Sequence, residues 1–197
     1  MVVTYTNRKG RKYYLCRGVT KTGKPRYYFS REPKDNVVDE IPAGYEITES
    51  VNGVVSLSKV RPKLLLDVEI NKVREAIEEH LEGHKYRIGV KSKAITIYES
   101  LGPDMRELAN MFASIWGLSG EALEDFSERL AREHEIYTQY TPVMRFTLSD
   151  TKKRLFRAER MSYLGEGGWI GIEYGKPIEE LAKRLIPVLG TEEFFEL

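Results

Sequence analysis

Ten of the first 36 residues are Lys or Arg, and they stand among five tyrosines and Phe29. Arg8, Lys9, Arg11 and Lys12 lead into Tyr13 and Tyr14. Lys21, Lys24 and Arg26 lead into Tyr27, Tyr28 and Phe29. Cations at this density attract polyanions. Rings presented among them can stack on unpaired bases, at about 1–3 kcal/mol per base. The expected chemistry is a nucleic-acid contact. Arg8, Lys9, Arg11, Lys12, Lys21, Lys24 and Arg26 would meet phosphates, and Tyr14 and Tyr28 would take bases. The competing reading of the same residues is a wet sheet face whose lysines guard exposed edges against aggregation.

Other residue groups resemble reactive sites less closely. Glu79-His80-Leu81-Glu82-Gly83-His84 sets two histidines four apart, a spacing at which one helix face can hold a metal. A zinc-protease helix needs Glu directly after the first His, and Leu81 stands there instead. Gly83 is expected to end that helix and turn His84 away, where a helix C-terminus itself favours imidazole. His134 follows Leu130 by four and reads as a helix-end residue. Cys16 has neighbouring cations but no sequence-adjacent histidine, so it reads as a small strand residue. Gly165-Glu166-Gly167-Gly168 lacks the Lys-Ser/Thr of a phosphate loop and reads as a hairpin turn. Glu78/Glu79, Glu124/Asp125, Glu179/Glu180 and Glu192/Glu193 are adjacent pairs, which a helix points in different directions. Asp39, Glu40, Glu46 and Lys59 are the residue types of a metal-dependent nuclease without a spacing that assembles one. No local motif supplies a catalytic set, and no cofactor or metal site is expected; an enzyme site assembled from distant residues is a third reading that no local motif reveals.

The basic residues need strands to position them. Val2–Thr6, Arg11–Arg17 and Arg26–Ser30 alternate with period two, and the turn signals Asn7–Gly10 and Gly18–Pro25 separate them. Three such runs predict an antiparallel meander. Alternation puts Tyr13 with Leu15, and Tyr27 with Phe29, toward a small core. It leaves Tyr14 and Tyr28 on the open face. Asn52-Gly53 between Tyr45–Ser50 and Val54–Val60 predicts a second hairpin, and Arg61-Pro62 ends it. This arrangement resembles the small three-stranded sheets that precede the catalytic domain of some tyrosine recombinases and insert into a DNA groove. The likeness is one of architecture and covers only the first segment. No Arg-His-Arg-Tyr constellation follows it.

Helical stripes come next: Ile70, Val73, Ile77 and Leu81 with Asp67 as cap; Met105, Leu108, Phe112 and Ile115 after Pro103; Leu123, Phe126 and Leu130 after Ser119. Lys85–Val90 and Ala94–Glu99 predict a hairpin between the first two. Ile136–Leu148, interrupted at Pro142, Lys153–Tyr163 and Trp169–Tyr174 return to strands. Lys152, Lys153, Arg154, Arg157 and Arg160 form a second basic run there. Ile178, Leu181, Ala182 and Leu185 give a helix started by Pro177 and stopped by Pro187, and Phe194 and Phe195 are placed to dock after it. Strands and helices do not alternate regularly, so the expected class is α+β. It divides into a basic β-module at 1–62 and an acidic α+β domain at 63–197, with antiparallel strands and about four helices.

Composition sets the limits. The 197 residues are 41% hydrophobic, enough for a core, so dominant disorder is excluded. The net charge of +1 hides +8 over residues 1–36 and −7 over the remainder. The longest charge-free run, Leu108–Gly120, is too short to span a bilayer. The first residues lack a signal-peptide pattern, and one cysteine cannot form an internal disulfide. The expectation is a cytoplasmic nucleic-acid-binding protein without evident catalysis, its partner DNA or RNA and no membrane. The alternative is an interaction module whose basic segment docks on a second copy of itself or on an acidic protein.

Overall fold

Period-two runs become strands and period-3.6 runs become helices in the computed structural model, which describes residues 2–162 and 168–197. In chain order the elements are β1 (Thr4–Thr6), β2 (Lys12–Val19), β3 (Pro25–Ser30), β4 (Tyr45–Glu49), β5 (Val55–Lys59), α1 (Asp67–Glu78), β6 (Tyr86–Lys91), β7 (Ala94–Leu101), α2 (Met105–Trp116), α3 (Glu121–Glu135), β8 (Gln139–Asp150), β9 (Leu155–Ser162), β10 (Gly168–Lys176), α4 (Ile178–Leu185) and α5 (Glu192–Glu196). The fold is α+β, as its sequence pattern predicts. Residues 163–167, which hold most of the expected glycine turn and the end of the Lys153–Tyr163 run, lie outside the described residues. No helix of the described residues is long and apolar enough to cross a membrane.

The chain condenses into two compact units. One comprises Met1–Val60 with Gly102–Gln139, the other Arg61–Leu101 with Tyr140–Leu197. The break after Val60 falls beside the sequence boundary at 62. The stretch carrying α2 and α3, expected with the second domain, clusters with the N-terminal strands instead. Composition along the chain cannot announce a unit assembled from two separated stretches.

In the first unit, β1, β2 and β3 form an antiparallel sheet in that order. Tyr5 pairs with Tyr13, Leu15 with Phe29, and Arg17 with Tyr27, so these share one face. Lys12, Tyr14, Cys16, Arg26 and Tyr28 stand on the other. Past the end of β1, residues 36–38 take its place beside β2. Val38 N donates to Leu15 O and Arg17 N to Asn36 O, both at 2.9 Å. The hairpin β4–β5 turns at Gly53, whose φ of 74° is open to glycine at little cost. Between α2 and α3, Gly117 and Gly120 adopt positive φ. Gly120, not Ser119, caps α3. Phe112 stacks on Trp116, and Trp116 meets Phe126 edge-on. The buried face of α2 runs through Ala109 and Ala113, leaving Met111, Ile115 and Trp116 exposed. Ile115 was expected inside. The buried face is set by Ala109 and Ala113 instead.

In the second unit, five strands lie in the order β10-β9-β8-β7-β6. Ile95, Ile97, Phe146, Leu148, Phe156 and Ala158 form one apolar face, against which α1 places Ile70, Val73 and Ile77 and α4 places Ile178, Leu181, Ala182 and Leu185. Pro142 does not break β8, because pairing with β9 begins only at Met144 and no ladder bond to β9 is lost at the proline. Phe194 docks and Phe195 stays exposed. Leu81, predicted in the stripe of α1, is 99% exposed. The helix ends at Glu78, three residues too early. Gly83 then passes so close that a Cβ would meet the Ile77 carbonyl oxygen at 2.1 Å. Its role is close approach, not a left-handed cap.

The N-terminus of α1 departs from the predicted Asp67 cap in a similar way. Leu66 is the cap residue, and its N–H donates to Glu69 Oε2 at 2.8 Å. Glu69 is buried and paired with Arg154, whose Nε donates to Oε1 at 2.8 Å. Arg154 itself holds a φ of 54°, unusual for a residue with a side chain. On the sheet face away from the helices, Glu159 is buried. It accepts from Arg145 Nε at 2.9 Å and Thr147 Oγ1 at 3.3 Å, with Arg157 Nε also at 3.3 Å. Arg145 lies 4.1 Å from the centre of the Trp169 ring.

Burial pushes the Glu159 carboxyl up, but Arg145, Arg157 and Thr147 outweigh it and hold the group below the ordinary glutamate range. A depressed folded pKa gives stability that is complete above the unfolded value and lost as pH falls through the folded one. Glu159→Gln is therefore expected to cost about 2 kcal/mol near neutrality, and much less near pH 3. Urea unfolding at several pH values checks this. An equal loss at every pH would show that the charge is not what matters.

Candidate nucleic-acid interface

The turn between β1 and β2 is built by one amide. Asn7 Oδ1 accepts from Lys9 N at 3.1 Å and from Arg11 N at 2.9 Å. Its Nδ2 donates to Gly53 O at 2.7 Å, which ties the first hairpin to the tip of the second. Gly53 leaves room for this: a Cβ there would stand 3.1 Å from Asn7 Nδ2 and 3.2 Å from Lys9 Cδ.

The same turn drives Lys9 inward, and the residue is 8% exposed. Its ammonium donates to Thr138 O at 2.9 Å, just past the end of α3. Carbonyls at a helix C-terminus carry partial negative charge, so a cation is well placed there. The Thr138 hydroxyl donates to His134 O at 3.0 Å, and its Oγ1 lies 2.9 Å from His134 Nδ1. Burial, then Arg8 and Arg11, lower the Lys9 pKa. Lys9 is thus an anchor inside the unit, correcting its expected place on a phosphate. Arg8 is also engaged: its guanidinium approaches Glu49 at 4.0 Å and Glu135 at 3.9 Å. Glu49 in turn accepts from Arg8 N at 3.0 Å and from Tyr5 OH at 2.9 Å. That bond, followed by burial, raises the Tyr5 pKa.

Four of the predicted residues, Lys12, Tyr14, Arg26 and Tyr28, share one face of the sheet with buried Cys16, the two cations exposed and the two rings half-buried. Lys12 Nζ stands 5.5 Å from the Tyr14 ring centre. Lys34 Nζ stands 5.5 Å from that of Tyr28. The Tyr28 ring lies across Gly18, where a Cβ would meet its Cε1 at 3.4 Å, and its hydroxyl accepts from Asn36 Nδ2 at 3.2 Å. Arg26 is exposed opposite Gly18. Tyr14 pairs with Ser30 and Tyr28 with Cys16, so the rings are diagonal neighbours, about 7 Å apart at the backbone. Lys21 and Lys24 are exposed in the turn beyond, shaped by Thr20 Oγ1 accepting from Lys24 N at 3.1 Å. Arg11 is not with them; it borders a cleft on the opposite face.

Lys34 was missed. It follows Pro33 in a segment with no periodicity, and only the pairing of 36–38 with β2 brings it back over the sheet.

No known protein family matches this chain. Neither a curated protein nor a solved structure matches it either.

The other sequence candidates do not assemble. Among the described residues, no three His, Cys, Asp or Glu side chains converge to hold a metal. His80 Nδ1 accepts from Glu82 N at 3.0 Å and its Nε2 faces Leu189 O at 3.2 Å, so both ring nitrogens serve the backbone. Cys16 is fully buried, with Sγ 3.7 Å from Tyr14 O. Asp39, Glu40, Glu46 and Lys59 are all exposed.

Lys9→Met keeps an unbranched side chain as far as Cε and removes the ammonium. It is expected to cost about 1–3 kcal/mol by leaving the Thr138 carbonyl without its charged donor. Thermal melting of the full chain checks this. An unchanged midpoint would mean that water or a rearranged turn replaces the bond.

Proposed function

We propose that the face of the β1–β3 sheet carrying Tyr14 and Tyr28 binds single-stranded nucleic acid. The observation that carries the reading is the repeated unit of one tyrosine ring with one lysine over it, Lys12 on Tyr14 and Lys34 on Tyr28. Each unit offers a stacking surface and a phosphate partner together. Exposed Arg26 and the Lys21–Lys24 turn extend the positive charge along the same sheet. The diagonal spacing of the rings exceeds the 3.4 Å rise between stacked bases. That favours bases splayed from a single strand over the closed stack of a duplex. The reading carries a cytoplasmic location, to which a lone buried thiol is suited.

Fluorescence anisotropy with short single- and double-stranded DNA and RNA, at about 50–200 mM salt, tests it. Single strands are expected to bind more tightly than duplexes. Tyr14→Ala and Tyr28→Ala should each weaken the single strand by about tenfold, at the low end of base stacking on aromatics. Ala at Lys12, Arg26 or Lys34 should each flatten the plot of log K against log salt by about 0.7. Absence of binding near micromolar at the lowest salt would overturn the reading. Salt-sensitive self-association without nucleic acid would instead support docking of the basic segment on a second copy.

A further inference from the structure

The face of the β1–β3 sheet that carries Tyr13 and Phe29 borders a cleft of about 540 Å³. That volume lies within the range of small-molecule sites. Two arginines line it, Arg11 beside the Asn7 turn and Arg31 just past β3. Neither guanidinium has a carboxylate partner among the described residues, and no Asp or Glu is among the cleft's described lining residues. This contrasts with Arg8, which has two. The guanidinium fork matches phosphate oxygens in pairs. The walls add the rings of Tyr13 and Tyr137 and the amides of Asn52 and Gln139. Cations, rings and amides therefore meet in one concavity. The ligand they suit is flat, presents hydrogen-bonding edges, and carries negative charge.

The floor is held by the bonds already described. Asn7 fixes Gly53 at one side, and Lys9 fixes the end of α3 at the other. The site is thus preformed by buried contacts, not assembled by its ligand, and preorganisation favours affinity.

We propose that this cleft binds a nucleoside monophosphate, its phosphate on Arg11 and Arg31 and its base against Tyr13 and Tyr137. It lies on the sheet face opposite Tyr14 and Tyr28, so it is a site separate from the proposed strand-binding face and does not depend on it.

Isothermal titration of the full chain with AMP, GMP, CMP and UMP tests this, alongside inorganic phosphate and adenosine. At least one nucleotide is expected to bind with a dissociation constant below about 1 mM, and more tightly than phosphate or the nucleoside alone. Arg11→Ala with Arg31→Ala should weaken it by about tenfold or more, two charge-assisted contacts being removed. Arg11→Lys with Arg31→Lys keeps the charge and loses the fork, so it should recover only part of the affinity. Circular dichroism confirms that both variants fold. No binding by any of the four nucleotides at about 1 mM would overturn the proposal. So would equal binding by the double-alanine variant, or phosphate binding as tightly as the nucleotides. Oligonucleotide anisotropy of the Tyr14 and Tyr28 variants is a separate readout, so failure here is distinguishable from failure of the strand-binding reading.

Discussion

A lysine ammonium taken out of water must find a polar partner or lose its proton. In this chain that rule joins two stretches of sequence 129 positions apart, through Lys9 and the Thr138 carbonyl. The bond closes the end of α3 with a cation, where the helix leaves carbonyls without amide partners. It also pins the β1–β2 turn, since the backbone N–H of Lys9 is held by Asn7. Gly53, Asn7, Lys9, Thr138 and His134 then form one continuous polar chain through the unit. Its members are individually ordinary hydrogen bonds. Together they hold two hairpins and a helix end in one unit with few large buried apolar side chains, Leu15 and Val55 among them.

Much of the fold was legible because it is written in local periodicity. The meander, the Asn52-Gly53 hairpin, the β6–β7 hairpin and the inward face of α4 all follow from spacing and turn chemistry. The misses share a cause: tertiary contacts override a local preference. Leu81 leaves the stripe of α1 because Gly83 crosses the end of that helix. Leu66, not Asp67, is the cap of α1, because Glu69 inside the first turn accepts the Leu66 N–H while it is paired with Arg154. Ile115 turns outward because the buried face of α2 runs through Ala109 and Ala113. The candidate site was legible in part. Alternation separates Tyr14 and Tyr28 from Tyr13 and Phe29, and it places Lys12 and Arg26 with the former. Nothing in one-dimensional spacing distinguishes Lys9, which is buried, from Arg11 two positions on. Nor could it bring Lys34 over Tyr28.

The two units solve the problem of buried charge in different ways. The first uses single cations against backbone carbonyls or carboxylates, as in Lys9 on Thr138 and Arg8 on Glu49. The second uses carboxylates held by two or more donors, with Glu159 between Arg145 and Arg157, and Glu69 between Arg154 and the Leu66 N–H. Multiple partners let a carboxylate stay ionised against the opposing effect of burial. Both of these carboxylates sit where a turn or a strand pair would otherwise be free to shift, so each also fixes geometry. Arg154 is the clearest case, held at positive φ while its side chain is clamped at α1.

The discontinuous first unit has a consequence for how the chain is made. Residues 1–60 emerge from synthesis well before Thr138 does. Their turn therefore waits, with an unsatisfied lysine and several aromatic side chains, until α3 arrives. Such long sequence separations raise contact order, and folding slows as loop closure precedes the contacts that reward it. The intervening Arg61–Leu101 belongs to the other unit, whose own strands β8 to β10 come later still. Neither unit is complete until its second stretch has been made. The interval before the two stretches of a unit meet is when exposed strand edges are open to chaperones or to aggregation.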